Sequence, residues 1–392
     1  MPSRVPAIVL AWFVLAAPLL AQAPARVHPF AQIPEPPVPA DPLELVSNAQ
    51  PVQDVAQRAD IVNLLEDAHQ HSNVRAQPYD LKTTFTVSGS LSSGVWQEED
   101  ASPGKKLYRW TIQGPGYSAV NLNANRIFYS SQSSGAVPLR VMQFREAIFF
   151  NAPAIGPRAT LRTANASLNG TGLTCALLSH NNLAQMIAGG RQWTEEEYCV
   201  NPASKTVVTY SPAPGLYYVF DYSKALSFHN KVIPNGFTLT QAGQKIIEAQ
   251  IESVTDPPDN PALFQPGGLN QIGVGGVMTP AWRMRTVQPL GSSAAAATAQ
   301  VVTLHALQGP GGQFSDVEVL ASSDPGLTPS AMEMGFQVAG PTFGRGQREW
   351  SDAAIARSDR DGGILFARPV ILRRAPAPCV GWCSRRRCCG VR

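Results

Sequence analysis

The sequence predicts an α+β protein: a large curved antiparallel sheet with helices, a half-barrel, followed by a small α/β sandwich domain. Three observations lead there. Short runs alternating apolar and polar residues recur from Leu81 onward, separated by glycine, proline and asparagine turns. Two other segments carry apolar residues in helical patterns. A proline- and glycine-rich stretch at residues 256–282 divides the chain, and 392 residues suffice for two domains. With 44% hydrophobic and 15% charged residues, the composition can fill cores and excludes a disordered chain.

At the N-terminus, Arg4 precedes an uncharged apolar run from Val5 to Leu20 that ends in small residues. This is an export signal over residues 1–25, either cleaved or kept as an anchor, and it places the protein in the periplasm or cell envelope. Residues 26–50 are so rich in proline that polyproline II is expected, which makes them a spacer. Val52, Val55, Ala59, Val62, Leu65 and Ala68 then recur at helical spacing, with Asp54 and Asp60 opposite, which predicts an amphipathic helix over 52–70.

The period changes to two at Leu81, Thr83, Phe85 and Val87. Strand-like stretches follow at "GVWQEE", "KLYRWTIQ", "YSAVNL" and "RIFYSS", joined by "SPGK", "GPG" and "NAN". A second helix is expected in "PLRVMQFREAIFF". Beyond it, "TCALLSH", "EEEYCV", "KTVVTYS", "LYYVFDY", "GFTLTQ" and "KIIEAQIESV" continue the sheet. Residues 51–255 thus form one antiparallel domain, whose helices can fill the concave side. Cys175 and Cys199 sit in its strands, and in an oxidising compartment their default is a disulfide worth roughly 3 kcal/mol on the chain-entropy model.

Residues 283–350 read as strand, glycine turn, strand, cap and helix. Phe314, Val317 and Val319 lie on an exposed strand, and Ser323 or Asp324 caps the next helix. An edge strand of this kind pairs its free N–H and C=O groups with an extended segment of another protein, so the expected partners are envelope or outer-membrane proteins. Residues 351–392 alternate with nothing. They are expected to be a disordered or frameshifted end, or a genuine basic tail.

No catalytic constellation emerges, and no cofactor is called for. Ser102 and Lys105 fit a Ser-x-x-Lys pattern but occupy a hairpin turn rather than a helix start. His69 and His71 stand two apart on a helix and point in different directions. Glu98, Glu99 and Asp100, like Glu195, Glu196 and Glu197, read as solvated charge runs at strand ends. Gly273, Gly275 and Gly276 open no helix and so cradle no phosphate. Asn165 and Asn169 head glycosylation-type tripeptides. Cys379, Cys383, Cys388 and Cys389 match no common zinc spacing, so no metal is expected. The net charge of +3 decides little, but the arginine-rich end shows no folded face with aromatic platforms and an exported chain seldom meets nucleic acid, so no nucleic-acid partner is expected.

Two resemblances sharpen these expectations. The helix, "GVWQEEDASPGKKLYRWTI" and "NANRIFYSS" together resemble the LolA and LolB lipoprotein carriers over about residues 51–255, which implies an apolar cavity for acyl chains. Val301, Val302, Gly311, Gly312, Val317, Val319, Ser322, Ser323, Ala331, Pro341 and Gly346 resemble the signature of the TonB C-terminal domain, over about 283–350. The opening Tyr-Pro of that family is replaced by "SSAAAATAQ", and residues 5–20 hold no histidine for motor coupling. The expected function is non-enzymatic: a TonB-family-like envelope protein that docks to partners by strand addition. The alternative is a periplasmic carrier of lipid or lipoprotein acyl chains.

Overall fold

The structure is a computed structural model. It describes residues 37–369 apart from 90–91, 105–106, 133–136, 150–152, 154, 157–158, 180–185, 275–286, 289–299, 309–313, 330–331, 333–348, 359–363 and 367. Along the chain lie β1 (Gln50–Pro51), α1 (Val55–Ser72), β2 (Tyr79–Val87), β3 (Gly94–Gly104), β4 (Leu107–Gly114), β5 (Tyr117–Ala124), β6 (Ile127–Ser130) and α2 (Leu139–Ile148). There follow β7 (Thr160–Leu168), β8 (Thr171–Ser179), β9 (Glu196–Asn201), β10 (Thr206–Ala213), β11 (Leu216–Asp221), β12 (Leu226–Phe228), β13 (Lys231–Ile233), β14 (Gly236–Gln241), β15 (Gln244–Thr255) and β16 (Asn270–Val274). The last are β17 (Val287–Gln288), β18 (Gln300–Gln308), β19 (Phe314–Ser322), β20 (Glu349–Ser358), β21 (Ile364–Phe366) and β22 (Arg368–Pro369).

Fourteen strands make one antiparallel sheet in the order β1-β7-β8-β9-β10-β11-β14-β15-β2-β3-β4-β5-β6-β16. Two meanders meet at its centre, where β15 pairs with β2. The chain leaves the first meander at β6, near one edge, and begins the second at β7, near the other. The connection must therefore cross the sheet, and α2 is the part laid on the inner face. That route explains why no residue of α2 is exposed. Residues from β7 through β5 join Val141, Phe144 and Ala147 of α2 in one continuous core, so the sheet curls around the helix.

Helix α1 begins at Val55 because the Asp54 carboxylate accepts the Gln57 N–H at 2.8 Å. Its buried stripe is Ile61, Leu65 and Ala68, spaced four and three apart. Val55 is 82% exposed, and Val52, expected inside the helix, precedes it and donates its N–H to the Leu161 carbonyl. On β2, Leu81, Thr83, Phe85 and Val87 are all buried on the helix-covered face, as their alternation requires.

Several expectations need correction. Thr160–Leu168, passed over for its polar residues, is the full strand β7 between β1 and β8. Part of the expected spacer packs: Val46 and Ala49 cover the other face of the sheet against Leu173 and Leu177. The expected linker wraps back, burying Phe264 against Ala101 and Leu122, before β16 pairs with the free edge of β6. In the expected tail, β20 pairs with β18 and β21 pairs with β20, because main-chain pairing needs no apolar alternation. After β19, Asp324 caps a 3₁₀ turn at Pro325–Leu327, and the chain passes directly into helix at Thr328, Pro329 and Met332; residues 333–348, where the expected helix would continue, lie outside the described residues.

The C-terminal strands form a separate sheet in the order β19-β18-β20-β21, and β17 pairs with β22. This small sheet is seated on the large one. Leu320 of β19 enters the main core, while Val301 and Ala321 pack with Trp193 and Val38. Gly215, in the β10–β11 turn at φ +87°, is required at this seam: a Cβ there would lie 2.0 Å from the Leu320 carbonyl oxygen.

Candidate ligand-binding face

The inner face is largely apolar, and its polar contacts include those of Glu146 with the Tyr210 and Tyr218 hydroxyls and those of two arginines of α2 with acidic and amide partners. Phe144, midway along the helix, stacks on Phe85 at 4.0 Å and lies 5.9 Å from Phe237. Beside it, Arg145 sits between Glu98 and Asp100 of β3, donating to Glu98 Oε1 and, at 2.7 Å, to Asp100 Oδ2. The Tyr79 hydroxyl donates to the other Asp100 oxygen at 2.5 Å. The guanidinium also lies 4.2 Å above the Trp110 ring.

Glu98 and Asp100 are thus not the solvated run expected from sequence. Trp96, Glu98 and Asp100 share one face of β3, and all three are buried. Burial raises the Glu98 carboxyl to about 8 despite Arg145, and the Asp100 charge adds to the rise. Burial alone would lower the Arg145 pKa, but the facing Glu98 and Asp100 outweigh it and hold the guanidinium charged.

At the start of α2, Arg140 donates to Gln143 Oε1 at 2.9 Å, to Gln241 Oε1 at 3.0 Å, and to both Glu318 oxygens at 3.0 and 3.2 Å. At the end of the helix a small cleft of mixed lining opens, with Ser72 and Asn73 among its residues. Val74, Leu81, Phe149, Phe220, Ile233 and Ile251 contribute to its walls, and it holds about 30 Å³ of open space, room for a water or two. Where an acyl-sized cavity was expected, α2 packs against the inner face.

Glu195 and Glu197 of the second acidic run are buried as well, and Glu196 between them is half-buried. Glu195 takes a two-pronged contact from Arg162 at 2.7 and 2.6 Å, and its carbonyl accepts from Arg191. Burial holds the Glu197 carboxyl well above its ordinary value, against the pull of Arg191. These contacts fasten the segment before β9 and leave the inner face to α2.

Cys175 and Cys199 are directly opposite on β8 and β9 and form a disulfide on the face turned away from α2. Phe314, Val317 and Val319 all belong to β19, which has β18 on one side and, among the described residues, no strand on the other. Val317 is buried and Val319 half-buried. The Ser102 hydroxyl donates to the Leu107 carbonyl at 2.7 Å as part of the hairpin, and Lys105 lies outside the described residues. His69 is bonded to Asn73 at 3.2 Å. Asn165 lies in β7 and Asn169 in the turn after it, and Gly273 lies in β16. Gly275, Gly276 and the four tail cysteines are outside the described residues, as is the apolar run of residues 5–20; no described helix is long and apolar enough to cross a membrane. Sequence reasoning assigned no role to Arg140 or Arg145. The available signal was two arginines in a short helix otherwise rich in apolar residues, together with acids that alternate in phase with Trp96.

No protein-family model matches this chain, and no curated protein matches it. Among solved structures, a LolA-superfamily protein from Nitrosomonas europaea is 10% identical with a TM-score of 0.36, covering 52% of this chain and 96% of its own. An outer membrane lipoprotein-sorting protein domain from Vibrio parahaemolyticus is 8% identical with a TM-score of 0.33, over 52% of this chain and 98% of its own. LprF from Mycobacterium bovis is 9% identical with a TM-score of 0.22, over 54% and 98%. Nothing found supports the TonB C-terminal resemblance. Likeness at these scores assigns the chain to no family.

Proposed function

We propose that this is an exported, non-enzymatic carrier that binds the apolar part of a lipid or lipoprotein on the inner face of its large sheet, in exchange for α2. One observation carries the reading. The element filling the inner face is a ten-residue helix fastened there by buried charges as well as by apolar packing. A buried ion pair contributes little net stability compared with apolar side chains of the same volume. Lifting α2 would part Arg145 from Glu98 and Asp100, so the exchange needs the ligand's own apolar burial to offset it, and beneath the helix lie Phe85, Trp96, Trp110 and Phe237 to supply that surface. The cleft at the end of α2 marks where an acyl chain would start to enter.

The test is organic extraction and mass spectrometry of the purified protein, with titration by a fluorescently labelled long-chain acyl probe. Ser72, at the cleft, is half-buried at the end of α1, so Ser72→Trp blocks the mouth without overpacking the core. Saturable probe uptake that falls at least tenfold in Ser72→Trp supports the carrier. No uptake by the native chain, or equal uptake by both, removes it.

A second reading rests on the edge position of β19, which leaves one side of that strand for a partner's extended segment. Capture of an envelope protein that is lost when residues 283–350 are deleted would favour it.

A further inference from the structure

The contact between α2 and the small sheet has more donors than its occupant uses. Arg140 is 3% exposed and Gln143 fully buried, yet Arg140 Nε and Gln143 Nε2 have no hydrogen-bond partner among the described residues. Gln241 Nε2 and Arg140 Nη2 both donate to the Glu318 carboxylate. No side chain among the described residues caps the N-terminus of α2 at Pro138. Buried donors left unpaired are costly, and a two-oxygen carboxylate leaves two of them so. A tetrahedral anion presents more acceptor oxygens in more directions, at a helix start whose dipole favours negative charge.

We propose that Arg140, Gln143 and Gln241 form a phosphate-binding site, and that Glu318 is its internal occupant. Glu318 comes from β19, so a phosphate entering the site displaces the carboxylate and loosens the small sheet from the large one. This does not rest on the carrier reading, because the site is defined without any acyl chain. The phosphate could be free or could belong to a lipid headgroup.

The experiment uses the full chain and its Glu318→Ala and Glu318→Gln variants, the second retaining shape if the first folds poorly. Isothermal titration calorimetry measures inorganic phosphate in one arm and a short-chain phosphatidic acid in the other. Either variant is expected to bind phosphate at least tenfold more tightly than the native chain, and Arg140→Gln added to it is expected to abolish the gain. Tighter binding of the phosphatidic acid than of phosphate assigns the site to a headgroup; equal binding assigns it to the free ion. If emptying the site leaves phosphate affinity unchanged, or the gain survives Arg140→Gln, the proposal is overturned. Its failure leaves acyl-probe uptake untouched, and failure of acyl uptake leaves inorganic phosphate binding untouched.

Discussion

Removing the titration of Glu98 should make the protein less sensitive to alkaline pH. Its carboxyl moves from an ordinary 4.5 to about 8 on folding. Between those values the folded chain holds a proton that the unfolded chain has released, so stability falls as pH rises through this window and levels off above it. A displacement of about 3.5 units at 1.36 kcal/mol each caps the loss near 5 kcal/mol, and relaxation around the cluster brings the expected loss to a few kcal/mol. Glu98→Gln keeps an acceptor for Arg145 and has no proton to lose. Urea unfolding of both proteins between pH 5 and pH 9 provides the assay. The two should agree within about 1 kcal/mol at pH 5, and at pH 9 Glu98→Gln should be the more stable by a few kcal/mol. Parallel profiles, or a less stable Glu98→Gln at pH 9, would falsify the description of Glu98 as a buried, protonated partner of Arg145. Glu197 also has a raised carboxyl, so the comparison rests on the difference between the two proteins rather than on the native slope alone.

Phe144→Ala should cost about 3–5 kcal/mol in denaturant unfolding, because the ring fills the space between Phe85 and Phe237; a cost under about 1 kcal/mol would mean that α2 does not hold the core. Gly215→Ala should free the small sheet, read as faster amide exchange in Val317–Leu320 with the large sheet's protection retained; unchanged exchange would deny the seam. Replacing Cys175 and Cys199 by alanine should lower stability by about 3 kcal/mol under oxidising conditions and by nothing further under reducing ones, followed by thermal or denaturant unfolding.

The alternation of Leu81, Thr83, Phe85 and Val87, and the turns between successive hairpins, were legible in the sequence because they are local: a strand's inward set is fixed by a period of two and its ends by residues that tolerate turn geometry. The pairing of Cys175 with Cys199 could be proposed on similar grounds, each cysteine lying in a recognisable strand of a chain whose N-terminus reads as an export signal. Glu98 and Asp100 show the limit. Their strand was readable, but a carboxylate on an inward face is tolerable only if a cation meets it, and Arg145 comes from a helix 45 positions away in sequence. Strand β7 was missed because its residues are largely polar, and β20 because its place depends on an open side of β18 that no local pattern records. The sequence by itself determined the hairpins from β2 to β6, the helices α1 and α2, and the positions of the disulfide cysteines. Only the tertiary structure decided that α2 crosses the inner face and that Glu318 of the small sheet reaches Arg140, because both follow from where distant edges of the sheet lie, and backbone pairing over such distances leaves no periodic trace in the chain.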